Sequence, residues 1–176
     1  MVEAILMAIS IMWFPVGFLL LGKGEAKGTG AVVCMVGTLV LVAAILQAAI
    51  FKDPWIASLL FPYGLFYCAV GYALYNEMQD MRSVGNVSFT LIPISIVYTI
   101  LALTGGPVLA SGKQLIAKSN FLALACAGYT VLYIMVWLNA YGKLSGKTLG
   151  WSLIVWTIVG LWIPAFWLLA SGTLPF

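Results

Sequence analysis

Histidine is absent from this 176-residue chain, and only 7% of its residues are charged. An average soluble domain carries roughly 25% charged residues, so the chain has too few polar side chains to surround a soluble core. The hydrophobic share is 64%, which indicates an integral membrane protein. The lack of histidine also excludes metal sites built on imidazole and pH switches that depend on an imidazole.

Cysteine is scarce as well. Cys34, Cys68 and Cys126 stand far apart in apolar runs, and no CxxC pair occurs. This pattern favours small core side chains over disulfides or metal ligands. Ligands for haem or iron–sulfur clusters are also missing, so we expect no cofactor.

Acidic residues are confined to the ends of the apolar runs. The five are Glu3, Glu25, Asp53, Glu77 and Asp80, each at a terminus or in a predicted turn. Ion-driven transporters usually bury ionisable side chains within their helices, and an active site needs reactive groups held together. We therefore expect neither coupled transport nor an enzyme. The basic residues form no stripe, so nucleic acid is not an expected partner.

Six apolar runs are each long enough to cross a bilayer core, which takes roughly 20 helical residues. They cover residues 4–22, 29–50, 56–76, 85–104, 119–142 and 149–170. Helices are favoured over strands because a helix satisfies its own backbone hydrogen bonds in lipid. The runs also lack the polar–apolar alternation of a membrane barrel. We predict an all-α polytopic membrane protein, with residues 1–176 forming one domain and short turns joining the spans.

The basic residues set the expected orientation. Turns one, three and five carry five of them, Lys23, Lys27, Arg82, Lys143 and Lys147, whereas turns two and four carry Lys52, Lys113 and Lys118. This bias predicts a protein of the cytoplasmic (inner) membrane in which turns one, three and five lie in the cytoplasm and both termini lie on the outer side. The first run follows an acidic residue and no basic segment, so we predict a span rather than a cleaved signal peptide.

A short internal repeat accompanies the runs. Residues 14–17, Phe-Pro-Val-Gly, recur as Phe-Pro-Tyr-Gly at 61–64, and a Gly-Lys pair followed by a second lysine occurs at 22–27 and again at 142–147. Internal repeats of this kind are common in transporters. The pattern predicts three helical hairpins, formed by runs 1–2, 3–4 and 5–6.

Aromatic and hydroxyl side chains supply most of the polar character within the spans. Such an interior suits a small, flat, neutral solute, because rings and hydroxyls can contact an amide but do not replace the hydration shell of an ion. For any single aromatic residue, ordinary helix packing is the favoured alternative. Two other hypotheses are an ion-coupled secondary transporter of another small solute and a membrane subunit that transports nothing.

Several short motifs extend over nearly the whole chain. They are residues 22–29 with Val36-Gly37, residues 72–76 with Asp80 and Arg82, Asn139 with Gly146-Lys147 and Trp151, and the segment Trp162-Ile163-Pro164-Ala165. Together they resemble the urea and short-chain amide channels of bacteria, a family that includes acid-activated urea channels and amide transporters. The last segment is the sharpest match.

The resemblance implies six-helix protomers with outside termini, made of three two-helix hairpins and assembled as a ring of six. Each protomer would have its own pore across the membrane and would contact the surrounding lipid. The pore-lining positions that it implies are Leu6, Ile9 and Trp13 in the first helix, Phe66 and Val70 in the third, and Leu132 and Tyr133 in the fifth. A cytoplasmic amidase or urease is the implied partner.

Two departures from the family pattern bear on function. Urea channels of the family have a glutamate six residues before the tryptophan of the 162–165 segment, where this chain has Trp156. Trp156 is therefore a further candidate pore residue. Acid-gated members have histidines in long outer loops, which this chain lacks. We predict a passive, pH-independent channel for short-chain amides such as acetamide or formamide, or for urea, in which Asn139 and the hydroxyls supply hydrogen bonds.

Overall fold

The protein is almost entirely helical. The structure, a computed structural model, describes residues 2–110, 112 and 114–173. Its elements are α1 (Val2–Leu20), α2 (Ala26–Ala49), α3 (Pro54–Tyr75), α4 (Arg82–Thr104), α5 (Asn120–Ala140), α6 (Gly146–Trp156), a π-helical segment (Thr157–Trp162) and α7 (Ile163–Ser171). The predicted all-α fold is confirmed. Lys113, which enters the charge count above, lies outside the described residues.

Within the part of the chain that the structure describes, five helical stretches are long and apolar enough to cross a membrane, and one of them is the continuous stretch Gly146–Ser171. Helix α1 contributes a shorter apolar stretch, Ala4–Leu20. The predicted second, fourth and sixth runs begin three residues too late. The first turn of each of these helices contains a charged residue, Lys27, Arg82 or Lys147, which a search for apolar runs leaves out.

Serine caps fix where α5 and α6 begin. The Ser119 hydroxyl accepts a hydrogen bond from the backbone N–H of Leu122 at 3.1 Å, and Ser145 accepts one from Thr148 at 3.1 Å. Each cap satisfies one of the backbone donors that the first turn of a helix leaves free. Each cap therefore marks the residue at which its helix starts, after the long segment 105–118 for α5 and after a short turn for α6.

Glycines bring α2 and α3 into backbone contact. Gly30 and Gly37 are seven residues apart on α2, and they face Gly71 and Gly64 on the antiparallel α3. A Cβ atom at Gly37 would lie 2.8 Å from the backbone nitrogen of Cys68, and one at Gly71 would lie 2.5 Å from that of Cys34. Small residues allow this close approach. In lipid, where there is no hydrophobic attraction between helices, van der Waals packing at such contacts drives helix association.

Small residues also join the other closely packed pairs. Gly17 of α1 faces Gly150 of α6, where a Cβ at either position would come within 3.0 Å of the other's carbonyl oxygen. Between α4 and α5, the buried Ser88 hydroxyl donates to the Tyr133 carbonyl at 2.9 Å. The most extensive packing thus joins α2 to α3, α4 to α5 and α1 to α6. It falls between the predicted hairpins rather than within them, because the small residues lie on those faces.

A π-helical segment precedes Pro164 in the last helical stretch. Proline has no N–H, and in an α-helix its ring clashes with the carbonyl four residues earlier. The backbone N–H of Ile163 bonds to the carbonyl of Ile158, five residues back, which widens the helix at this point. Buried Thr157 adds a bond from its hydroxyl to the Leu153 carbonyl at 2.7 Å, so the wider turn keeps its polar groups paired.

Candidate functional site

Two cavities lie inside the bundle, toward opposite ends. The wide cavity, about 720 Å³ in volume, is bounded by the first half of α1 and by the turns before α3 and α5. Its wall includes Leu6, Ile9, Tyr63, Cys126 and Tyr129. Lys52 and Asp53 lie at its rim, so this end of the bundle presents both apolar walls and charged groups.

The narrow cavity, about 210 Å³ in volume, lies toward the other end of the bundle. Helices α1 to α6 all contribute to its wall, together with the turn before α4. Trp13, Phe66 and Tyr67 close it on the side of the wide cavity, and Met78 and Met81 line it near the turn. Most of its wall is aliphatic.

Six aromatic rings occupy the region between the two cavities. We call this group the aromatic cluster; its members are Trp13, Tyr63, Phe66, Tyr67, Tyr129 and Tyr133. Ring centroids are 5.1 Å apart for Trp13 and Tyr129, 4.9 Å for Tyr63 and Tyr129, and 5.3 Å for both Tyr63–Tyr133 and Phe66–Tyr133. Apart from the partly exposed Tyr129 ring, the members are buried. The cluster therefore separates the wide cavity from the narrow one.

Hydroxyl groups in the cluster differ in how they are paired. The Tyr63 hydroxyl forms a hydrogen bond of 2.7 Å with the buried Ser95 hydroxyl of α4. The hydroxyls of Tyr67 and Tyr133 are buried and form no hydrogen bond of normal geometry, although the Tyr67 hydroxyl lies near the side chains of Tyr129 and Trp13. An unpaired buried polar group costs about 1–3 kcal/mol, so a hydrogen bond to either hydroxyl would offset that cost.

The architecture matches a known family over nearly its full length. A family model described as the AmiS/UreI family transporter matches residues 1–172. The chain belongs to the AmiS/UreI family. The family is one of membrane transporters, and its match confirms the resemblance seen in the sequence. No curated protein sequence matches the chain.

Two solved structures share the fold of this AmiS/UreI member. The crystal structure of the urea channel from the human gastric pathogen Helicobacter pylori superposes with a TM-score of 0.78 at 22% identity, covering 98% of this chain and 99% of that one. The cryo-EM structure of the Helicobacter pylori urea channel in its closed state gives a TM-score of 0.81 at 18% identity, covering 99% and 100%.

Most of the predicted site residues of this family member surround the two cavities. Leu6 and Ile9 line the wide cavity, and Trp13, Phe66, Val70 and Asn139 line the narrow one. Tyr133 lies in the aromatic cluster, where its ring contacts residues of both linings. The structure thus brings seven of the nine predicted residues to the cavities or to the barrier between them.

Leu132 and Trp156 have other surroundings. Leu132 is buried in the helix core and lines neither cavity. The Trp156 ring lies against Gly128 of α5 and Gly160 of its own helical stretch, in the space that a Cβ atom would need. This position joins α5 to α6, so the ring that stands in place of the family's glutamate packs between helices.

Three tyrosines of the cluster, Tyr63, Tyr67 and Tyr129, are missing from the predicted site. A signal for them exists in the sequence: Phe66 and Tyr67 follow Tyr63 by three and four residues, Val70 follows them by four and three, and Tyr133 follows Tyr129 by four. Such spacing puts side chains on one face of a helix. It cannot tell a face that lines a cavity from one that packs against a neighbour.

An ion pair lies beside the narrow cavity. Arg82 Nη2 is 2.6 Å from Asp80 Oδ2, and both side chains are exposed. The hydrogen bonds from Arg82 lower the pKa of Asp80 to about 2. These residues line an open groove together with Met81 and Asn139, both of which also line the narrow cavity. Asn139 is held there by a bond from Nδ2 to the Leu144 carbonyl at 2.9 Å.

Proposed function

We propose that this protein is a passive channel for small neutral amides, either short-chain aliphatic amides such as acetamide and formamide or urea, across the cytoplasmic membrane. The observation that carries the proposal is the aromatic cluster between two cavities, with the unpaired hydroxyls of Tyr67 and Tyr133 inside it. Rings and hydroxyls contact a flat amide, whereas an ion would lose its hydration shell without replacement. The similar structures support urea as a candidate because they are of a urea channel.

The proposal includes six membrane crossings per protomer. The 19 residues of α1 would extend about 28 Å at 1.5 Å per residue, close to the bilayer core of about 30 Å. With the bias of basic residues toward turns one, three and five, the wide cavity faces outward and the narrow cavity faces the cytoplasm. An assembly of six protomers and a cytoplasmic amidase or urease as the consumer of the solute complete the proposal.

Flux measurements on the purified protein test this function. We expect proteoliposomes to take up urea, formamide or acetamide at least several-fold faster than protein-free liposomes in a stopped-flow light-scattering assay, and to take up glycerol much less. Uptake should also be unchanged when ion gradients are dissipated, because the proposed path binds no coupling ion. Rates equal to those of bare lipid for every amide would reject the proposal.

We further expect flux to be independent of pH between 5 and 8. The chain has no histidine, and Asp80, whose pKa is lowered to about 2, keeps its charge throughout this window. A lowered pKa stabilises the folded state above the pKa of the unfolded chain, and this contribution is lost only as the pH falls toward 2. The same liposome assay at pH 5 and pH 7 checks this, and a several-fold rise at pH 5 would contradict it.

A further inference from the structure

Most of the wall of the narrow cavity is apolar. Aliphatic and thioether side chains provide most of the wall; they include Met12, Val16, Leu20, Val33, Val70, Leu74, Met78, Met81, Val84, Val136, Leu149 and Leu153. Among the described residues that line it, the polar side-chain atoms are those of Trp13, Tyr67 and Asn139. The Asn139 amide nitrogen already donates to Leu144.

Size and polarity together indicate what such a space can hold. Apolar cavities of roughly 150 Å³ stay dry and bind molecules of the size of benzene; this one measures about 210 Å³. Urea has two amino groups and no apolar part, so most of its polar atoms would lie there unpaired, which is unfavourable. An alkyl chain gains from the same wall, by about fourfold in binding for each methylene group buried.

Two of the polar groups, those of Trp13 and Tyr67, lie at the end of the cavity that faces the aromatic cluster, whereas Asn139 lies at the opposite end beside Met81. The buried Tyr67 hydroxyl, which forms no hydrogen bond of normal geometry, belongs to the cavity wall, and the equally unpaired Tyr133 hydroxyl belongs to a ring 5.3 Å from that of Phe66. At the opposite end, Met78 is 45% exposed. Methionine is flexible and adapts to ligands of different shape, so this end tolerates tails of different length.

We propose that the narrow cavity is a binding site for the alkyl tail of a primary aliphatic amide of two to four carbons, whose amide group bonds to the hydroxyls of Tyr67 and Tyr133. This assignment rests on the proposed channel function and narrows its solute class: aliphatic amides are the preferred solutes, and urea passes without using the cavity wall. Val70 is the test position, because its side chain lines the cavity and threonine has nearly the same shape with a polar hydroxyl.

Competition measures tail binding separately from flux. Formamide uptake into proteoliposomes is recorded in the presence of acetamide, propionamide or butyramide at equal concentration on both sides. We expect the half-inhibitory concentration to fall about three- to fourfold with each added carbon. Val70→Thr should reduce this fall per carbon to twofold or less. Val97→Thr is the matched control, since Val97 is 51% exposed on α4, and it should leave the series unchanged.

The outcomes separate the two proposals. No flux of formamide, acetamide or urea in the unmodified protein would reject the channel function itself. Formamide flux with equal half-inhibitory concentrations for the three amides would reject the tail site alone and leave the channel function standing. A steep series that Val70→Thr and Val97→Thr affect equally would show that the tail binds elsewhere. Because the series in the unmodified protein is decisive by itself, a Val70→Thr variant that fails to fold does not remove the test.

Discussion

Gly30→Ala is expected to destabilise the protein by about 2 kcal/mol, although alanine is the better helix former. The added Cβ would lie 2.7 Å from the Gly71 carbonyl oxygen and 2.8 Å from the Tyr75 Cα. These are backbone atoms of α3, so the clash can be relieved only if the two helices move apart. Overpacking costs about 1–3 kcal/mol and occasionally more, and a rigid neighbour puts this site at the upper end. The higher helix propensity of alanine offsets at most about 1 kcal/mol of this cost.

The effect is measured as the midpoint of thermal unfolding in detergent, followed by size-exclusion chromatography. A loss of about 2 kcal/mol corresponds to a fall of roughly 4–8 °C for a chain of this size. Gly146→Ala is the control: it lies at the start of α6, and the nearest atom to its added Cβ is 3.7 Å away. An unchanged or higher midpoint for Gly30→Ala would contradict the backbone contact between α2 and α3.

Tyr133→Ala is expected to lower the selectivity of the channel more than its stability. The ring contacts Tyr63 and Phe66 at centroid distances of 5.3 Å, so its removal opens a space in the barrier between the two cavities. A solute bulkier than urea then passes with less resistance. We expect the ratio of urea to glycerol permeability to fall about tenfold, which corresponds to a change of about 1.4 kcal/mol between the two barriers. Liposome flux of both solutes measures it.

Two variants separate the role of the ring from general effects of tyrosine removal. Tyr133→Phe keeps the ring and should keep most of the size selection, because only the hydroxyl is lost. Tyr72→Ala removes a tyrosine whose side chain lies on the outside of the bundle and is 64% exposed, so the permeability ratio should not change. If Tyr133→Ala fails to assemble, and the fraction that survives has the original selectivity, then Tyr133 serves packing alone.

Much of the fold is already decided by composition and by the length of the apolar runs. A chain with 7% charged residues must bury its backbone hydrogen bonds within helices when it enters lipid. Charged and glycine-rich segments, such as residues 22–28, then mark the turns. Predicted starts were wrong by three residues wherever a lysine or arginine lies in the first helical turn, because hydropathy treats such a residue as outside the span.

The residues around the two cavities were predicted only in part, since the sequence shows which residues share a helix face but not what that face meets. Trp156 illustrates the difference: its position in the sequence suggests a pore contact, yet its ring fills the space above Gly128 and Gly160. Tyr63 and Tyr129 have the same helical spacing as packing residues, and only the structure brings their rings to within 4.9 Å of each other.

The sequence by itself determined that this protein is helical, lies in a membrane and has no charged group in the middle of its apolar runs. Family motifs in the sequence indicated urea or a short-chain amide as the solute. The tertiary structure alone decided that α2 packs on α3, α4 on α5 and α1 on α6, and that six rings divide the interior into two cavities. The physical reason is that helix association in lipid depends on close contact between small residues. Such contact depends on which glycines of two helices face each other. Local sequence patterns do not predict that pairing.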